Sequence, residues 1–117
     1  MQQEDYFYDA IVIGVHDGDT ITVDIDLGFG IIIKKQKIRL YGINAPELRF
    51  SGDTNASGIT SKIWLAEKIL NKKIVVKTTQ DKKEKYGRWL GEIFLNDENI
   101  NELMVNEGLA VKYMLDE

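Results

Sequence analysis

Apolar and polar residues alternate over Thr20 to Leu27, with Ile21, Val23, Ile25 and Leu27 on one side and Thr20, Thr22, Asp24 and Asp26 on the other. A period of two puts these sets on opposite faces of a strand. Tyr6 to Val15, rich in aromatic and β-branched residues, predicts a strand before it, and Ile31 to Tyr41 one after it. His16-Asp17-Gly18-Asp19 and Gly28-Phe29-Gly30 supply turn chemistry between them, so the three strands form an antiparallel meander. Arg49 to Asn55 is polar, contains glycine and reads as a loop. The period then lengthens. Ile59, Ile63, Ala66 and Ile69/Leu70 predict the buried stripe of a helix, with Trp64 at its edge and Lys62, Glu67 and Lys68 outside it. Ile74 to Thr79 and Trp89 to Leu95 read as the fourth and fifth strands, joined by a charged loop from Gln80 to Tyr86. Asn99 with Glu102 three residues on has capping-box form and opens a short helix through Ile100, Leu103 and Met104. Gly108 suits its C-terminal cap, and Leu109 to Leu115 is a last extended piece.

Five strands with a helix between the third and fourth predict a mainly β protein with two helices (α+β), a five-stranded Greek-key barrel of the OB-fold class. At 117 residues, without a repeat or linker, 1–117 reads as a single domain. The absence of cysteine excludes a disulfide framework, a thiolate metal site and a thiol nucleophile. The stretch Met1 to Asp5 is polar and acidic, unlike a signal peptide, which points to a cytoplasmic chain or a secreted one whose leader has been removed. Apolar runs such as Ile31-Ile32-Ile33 are far too short for a membrane span, so no membrane partner is expected. The net charge of −4 argues against coating nucleic acid by bulk electrostatics. Its distribution matters more: Lys34, Lys35, Lys37 and Arg39 form one basic group, and Lys82, Lys83, Lys85 and Arg88 another.

The candidate chemistry gathers where strands end. Arg39-Leu40-Tyr41-Gly42-Ile43-Asn44-Ala45-Pro46-Glu47 begins as a strand anchored by Ile38, Leu40 and Ile43, turns polar at Asn44, and is ended by Pro46. Asp17 and Asp19 flank the first turn, and Arg88 opens the fifth strand. Oxygens from Asp19 and Asn44, with the Ala45 carbonyl, suit a hard cation such as calcium. Two arginines suit a phosphodiester, whose oxygens match the guanidinium fork. A carboxylate such as Glu47 beside them could position or deprotonate a water. Each residue also has a bland reading. The aspartates could be hairpin residues, Arg39 could pair with Glu47, Arg88 could stack on Trp89, and Lys82 to Lys85 with Tyr86 could be solvated loop.

Asp17-Gly18-Asp19-Thr20, then Arg39-Leu40 followed by Asn44-Ala45-Pro46-Glu47, then Lys85-Tyr86-Gly87-Arg88, resemble the staphylococcal nuclease-like (thermonuclease) family. The likeness continues through Asn101-Glu102-Leu103 and Gly108-Leu109-Ala110. It implies a calcium-dependent nuclease that cuts DNA and RNA at the 5′ P–O bond and leaves 3′-phosphates. Asp19, Asn44 and Ala45 then match metal ligands, with Asp17 beside them. Arg39, Glu47 and Arg88 match the catalytic set, and Lys85 and Tyr86 match contacts to a substrate phosphate. Tyr113 is nearest to a substrate-stacking tyrosine, although an ungapped register puts Met114 there. Single-stranded DNA and RNA are the expected partners, and the chain is expected to be a monomer, with a dimer as the alternative.

The sequence also departs from the family. Asn44 stands where the pattern has an aspartate, which removes one charge and predicts weaker calcium binding. The segment Asp24 to Ile38 is longer than the usual hairpin. Glu84 replaces an aspartate, read as a minor change in a solvated loop. Relatives continue beyond the position of Glu117 into another helix. Two other functions stay open: a nucleic-acid-binding OB module that does not cleave, favoured by Asn44, and a protein-interaction domain.

Overall fold

A computed structural model describes residues Asp5–Tyr113. The expected meander is present as β1 (Asp5–Asp17), β2 (Thr20–Asp26) and β3 (Ile32–Leu40). Short β4 (Ile43–Asn44) follows. The stretch read as a loop instead folds as a small hairpin, β5 (Arg49–Phe50) against β6 (Asp53–Thr54), with Ser51 and Gly52 at its turn. Helix α1 (Ala56–Ile69) leads to β7 (Lys73–Thr79), β8 (Trp89–Leu95) and β9 (Glu98–Asn99). Helix α2 (Ile100–Asn106) and β10 (Val111–Lys112) complete the described chain.

The main sheet runs β3-β2-β1-β7-β8-β9, and a parallel pairing of β3 with β8 closes it. Only Ile38–Leu40 of β3 takes part in that closure, opposite Trp89–Gly91. The fold is thus mainly β with two helices, a closed five-strand barrel consistent with an OB-fold, to which β9 adds a short edge. Inward-facing Val12, Ile21, Val23, Ile38, Leu40, Ile74, Val76 and Ile93 fill it, and Leu65, Ile69, Ile100 and Met104 close its ends. β10 pairs with β4, so the end of the described chain lies beside the segment that follows β3.

The α1 stripe differs from the one read in the sequence. The buried positions are Gly58, Ser61, Leu65 and Ile69, whereas Ile63 and Leu70 are exposed and Ile59 and Ala66 half-buried. In its first half the helix approaches the barrel so closely that Gly58 and Ser61 make the inner contact, while Leu65 and Ile69, the latter already part of the stripe read in the sequence, fill the second half. A reading weighted by hydrophobicity looks for large side chains throughout and misses the two small contacts at Gly58 and Ser61. The second helix follows the expectation: Asn99 caps it by accepting from the Glu102 N–H, and Gly108 follows its C-terminus with φ +77°. Met114 and Leu115, part of the expected last extended piece, lie outside the described residues.

Beyond the barrel wall β2 and β3 continue as a two-stranded ribbon. Leu27, read as part of the buried face, is exposed there together with Phe29, Ile31, Ile32 and Ile33. Alternation could not reveal this, because the ribbon's apolar face extends past the edge of the core it would otherwise cover. Among the described residues, Ile32–Lys37 has no strand partner on the side away from β2. No helix is long and apolar enough to cross a membrane among the described residues.

Candidate active site

The turn between β1 and β2 is fixed first by local chemistry. Asp17 Oδ1 accepts the Asp19 N–H at 3.0 Å, an Asx turn that points the Asp19 side chain inward. Asp19 O accepts the Leu40 N–H at 2.8 Å, and Asp19 Oδ2 accepts the Ala45 N–H at 2.8 Å. One aspartate therefore ties the turn to the end of β3 and to the Asn44-Ala45-Pro46 segment. The bland reading of Asp17 as a hairpin residue is correct as far as its backbone bond goes.

Helix α1 presses on this assembly through glycine-sized gaps. A Cβ on Gly18 would lie 2.6 Å from Ala45 Cβ and 2.9 Å from Ser61 Cβ, and one on Gly58 would lie 2.0 Å from the Glu47 carbonyl oxygen. Asn55, just before the helix, also donates its side-chain amide to that carbonyl at 2.9 Å. The backbone that carries Glu47 is thus held against the N-terminal end of α1. Its carboxylate is exposed and makes no ion pair among the described residues.

Arg39 does not pair with Glu47, which corrects the bland reading of both. It is buried, with Nη1 donating to the carbonyls of Leu40 (2.8 Å) and Ile43 (3.0 Å). Its Nη2 donates to Asn44 Oδ1 (3.2 Å) and lies 3.6 Å from Asp19 Oδ2. The carbonyls can meet the guanidinium because Gly42 reverses the chain just after β3, with φ +82°.

Arg88 enters from the other wall. Its Nη1 donates to Thr20 Oγ1 at 3.1 Å and its Nη2 to Glu84 Oε2 at 2.7 Å. It does not stack on Trp89. The Trp89 ring is covered by Lys83 Nζ, 4.3 Å from the centroid, and its Nε1 donates to Gln36. The Tyr86 ring is highly exposed, with Lys85 Nζ 5.2 Å and Arg88 Cζ 5.6 Å from its centroid. Tyr113 donates its backbone N–H to Gly42 O at 2.8 Å, which brings its half-exposed ring to the same place. Met114, the competing candidate in the stacking position, lies outside the described residues.

Asp17, Asp19, Arg39, Asn44, Ala45, Glu47, Lys85, Tyr86, Arg88 and Tyr113 all line one cleft of about 810 Å³. The structure brings together every site residue named from the sequence. It adds Pro46, Lys83 and Glu84 to the wall, and Thr20 behind Arg88. Glu84, read in the sequence as a minor change in a solvated loop, is largely withdrawn from solvent. Its side chain is 10% exposed, and Arg88 holds its carboxyl down at about 2. No sequence signal marks this pairing, since a spacing of four brings side chains together on a helix and residues 84–88 form a loop. Thr20 left none either, since a strand threonine is common everywhere.

Burial pushes the Asp19 carboxyl up to about 6, against the opposing pull of the Ala45 N–H; Asp17 adds to the rise and Arg39 opposes it. Two carboxyls side by side, one of them costly to ionise, form a place where a cation would relieve charge. Among the described residues no group of three or more His, Cys, Asp or Glu side chains is placed to hold a metal. The donors on hand are two carboxylates, the Asn44 amide oxygen (facing Arg39) and the Ala45 carbonyl. This all-oxygen set fits a hard cation in kind, with a low ligand charge.

A closed OB barrel with two arginines, an acidic pair and a carboxylate unpaired among the described residues in one cleft combines the donor types that suit a phosphate ester. A profile described as staphylococcal nuclease homologue matches residues 37–117. The chain is 33% identical over 100 residues to the thermonuclease of Staphylococcus hyicus, across 85% of this chain and 56% of that protein. It is 30% identical over 97 residues to the thermonuclease of Staphylococcus intermedius, across 82% and 54%. It is also 34% identical over 102 residues to an uncharacterized endonuclease of Haemophilus influenzae, across 87% and 51%. The chain belongs to the staphylococcal nuclease family. It spans about half the length of these curated relatives.

Proposed function

We propose that the chain is one nuclease domain over 1–117 that hydrolyses phosphodiester bonds of DNA and RNA with low sequence specificity. It acts with calcium, cuts the 5′ P–O bond and leaves 3′-phosphates. The observation that carries this reading is the convergence on one cleft of Arg39, Arg88 and the Glu47 carboxylate, which has no ion pair among the described residues. A pure binding surface needs the cations and has no use for the carboxylate.

In this reading the scissile phosphate lies between the two arginines, which face charge as it grows on the non-bridging oxygens. Preorganised donors of this kind are worth on the order of a hundredfold or more each. Arg39 is preorganised by its bonds to the Leu40 and Ile43 carbonyls, so little reorganisation accompanies the reaction. Glu47 orients the attacking water and takes up its proton. Lys85 and Tyr86 grip a neighbouring phosphate, and Tyr113 offers its ring to a base. Splayed bases are needed for such stacking, so single strands are favoured. Calcium, when bound, supplies positive charge beside the phosphate, and Asp19, Asn44 and Ala45 would hold it with Asp17 adjacent. The domain works as a monomer in this reading.

The test is cleavage of a fluorophore–quencher single-stranded DNA with calcium titrated to millimolar levels, a chelator control and Arg88→Ala alongside. Calcium-dependent cleavage that falls about a hundredfold or more in Arg88→Ala is expected. The second reading, a nucleic-acid-binding module, is favoured by the single charge missing at Asn44. It takes over if the folded chain binds DNA and never cuts it.

A further inference from the structure

The loop between β7 and β8 is organised by one carboxylate. Glu84 Oε1 accepts the backbone N–H groups of Tyr86 (3.0 Å) and Arg88 (2.9 Å). Glu84 Oε2 accepts Arg88 Nη2 at 2.7 Å. Main-chain bonds from Glu84 N to Arg88 O (2.9 Å) and from Gly87 N to Glu84 O (3.0 Å) close the same turn. One oxygen therefore shapes the backbone that presents Tyr86 and Arg88, while the other holds the guanidinium.

The guanidinium is fastened at two points, Nη2 by Glu84 and Nη1 by Thr20 Oγ1. Its Nε is buried and has no partner among the described residues. Arginine carries several rotatable bonds, and a free one must be ordered before it can meet a phosphate. Two anchors on opposite amino groups fix both the plane and the position of the charge beside Asp19.

We propose that Glu84 is the positioning residue for Arg88: its carboxylate sets the loop and holds the guanidinium at the cleft before substrate arrives. This rests on the nuclease reading for its kinetic consequence and on the Glu84–Arg88 geometry for its structural one. Glu84 does not touch the reacting phosphate. It acts through Arg88, so its effect falls on the rate of the chemical step more than on capture of the strand, to which Lys83 and Lys85 also contribute charge.

Glu84→Gln separates the two oxygens. Its amide oxygen can still accept the Tyr86 and Arg88 N–H groups, while its NH2 turns a donor toward Nη2, where only an acceptor is useful. On single-stranded DNA with calcium, kcat should fall about tenfold with KM within about twofold of the parent. Adding Glu84→Gln to Arg88→Ala should produce no further loss, because the path through Arg88 is already gone. Independently of turnover, the side-chain Nε–H signal of Arg88 in a nitrogen-15 spectrum of the ligand-free protein should be slow to exchange in the parent and broadened in Glu84→Gln. An Arg88 signal unchanged by the substitution overturns the proposal. So do losses that multiply in the double variant. If the parent itself fails to cleave, the nuclease reading falls while the spectrum still judges Glu84. Should Glu84→Gln not fold, Glu84→Asp, which keeps a charged acceptor for the turn, carries the same spectrum and cycle with a smaller loss.

Discussion

At position 44 an amide stands where a carboxylate would add a third acidic group beside Asp17 and buried Asp19. The Asn44 oxygen is turned to Arg39, 3.2 Å from Nη2, so a carboxylate there would gain a cationic neighbour as well as a role toward a metal. Ligand charge tunes calcium affinity, and Asn44→Asp should therefore bind calcium on the order of tenfold more tightly. Titration calorimetry decides it, and equal affinities would sink the idea. Glu84 makes a pH prediction whose sign follows from its lowered proton affinity. Its ordinary value is 4.5 and Arg88 holds it at about 2, so its stabilising effect is complete above about 4.5 and vanishes as pH falls toward 2. The melting temperatures of the parent and Glu84→Gln should differ by a constant amount near neutrality and converge across that acid window. At this scale the sequence was informative about identity and poor about partners. Arg39, Glu47 and Arg88 stand out as candidates because charged groups at strand ends suggest chemistry, and all three line the cleft. That Arg39 binds backbone carbonyls, and that Arg88 leans on Glu84, depends on a turn and a loop whose geometry no spacing encodes.

Among the elements, the β2–β3 ribbon is the one whose surface departs from ordinary practice. Phe29 stands fully exposed at its tip, and Ile31, Ile32 and Ile33 line its far end without a charge among them. From Lys34 on, lysines, a positive φ at Lys35 (+59°) and the Gln36 side chain bonded to Lys34 O blunt the strand edge. The isoleucine run has no such guard. Ile32→Lys should raise the concentration at which the protein begins to associate in light scattering, with stability changed by no more than about 0.5 kcal/mol. Unchanged scattering would show the run to be harmless. Strand and helix types were readable here because their periods differ. The failures, at Leu27 and at Ile63, arose where a periodic face outran the core or where a helix docked through Gly58 and Ser61. Hydrophobic patterning reports which side faces inward only while large side chains make the contact.

Across the whole molecule, Asn101 joins three parts that the chain visits far apart. Its Nδ2 donates to Tyr41 O (2.9 Å) and Gly91 O (3.2 Å), and its Oδ1 accepts the Ile93 N–H (3.0 Å). These bonds lock α2 over the place where β3 meets β8 and the barrel closes. Asn101→Ala removes the side-chain partner of the Tyr41 carbonyl and the Ile93 N–H, while Gly91 O keeps the Tyr41 N–H, and should lower the unfolding free energy by about 3 kcal/mol, measured by urea denaturation. A loss under about 1 kcal/mol would mean that water or a shifted helix replaces the amide. The order of strands and helices, and so the OB class, was legible from local periods. The closure was not, because a parallel pairing of three residues between distant strands leaves no local trace.

The glycine-sized gaps under α1 have a consequence for anyone surveying this chain by random substitution. Gly18 and Gly58 bear no side chain that could touch a phosphate, yet a single methyl on Gly58 would run into the Glu47 carbonyl and one on Gly18 into the Ala45 and Ser61 side chains beside Asp19. An inventory of intolerant positions would therefore set two featureless residues beside the arginines. Taken at face value, such a map would draw the working region wider than the chemistry, because it records the foundations along with the tools.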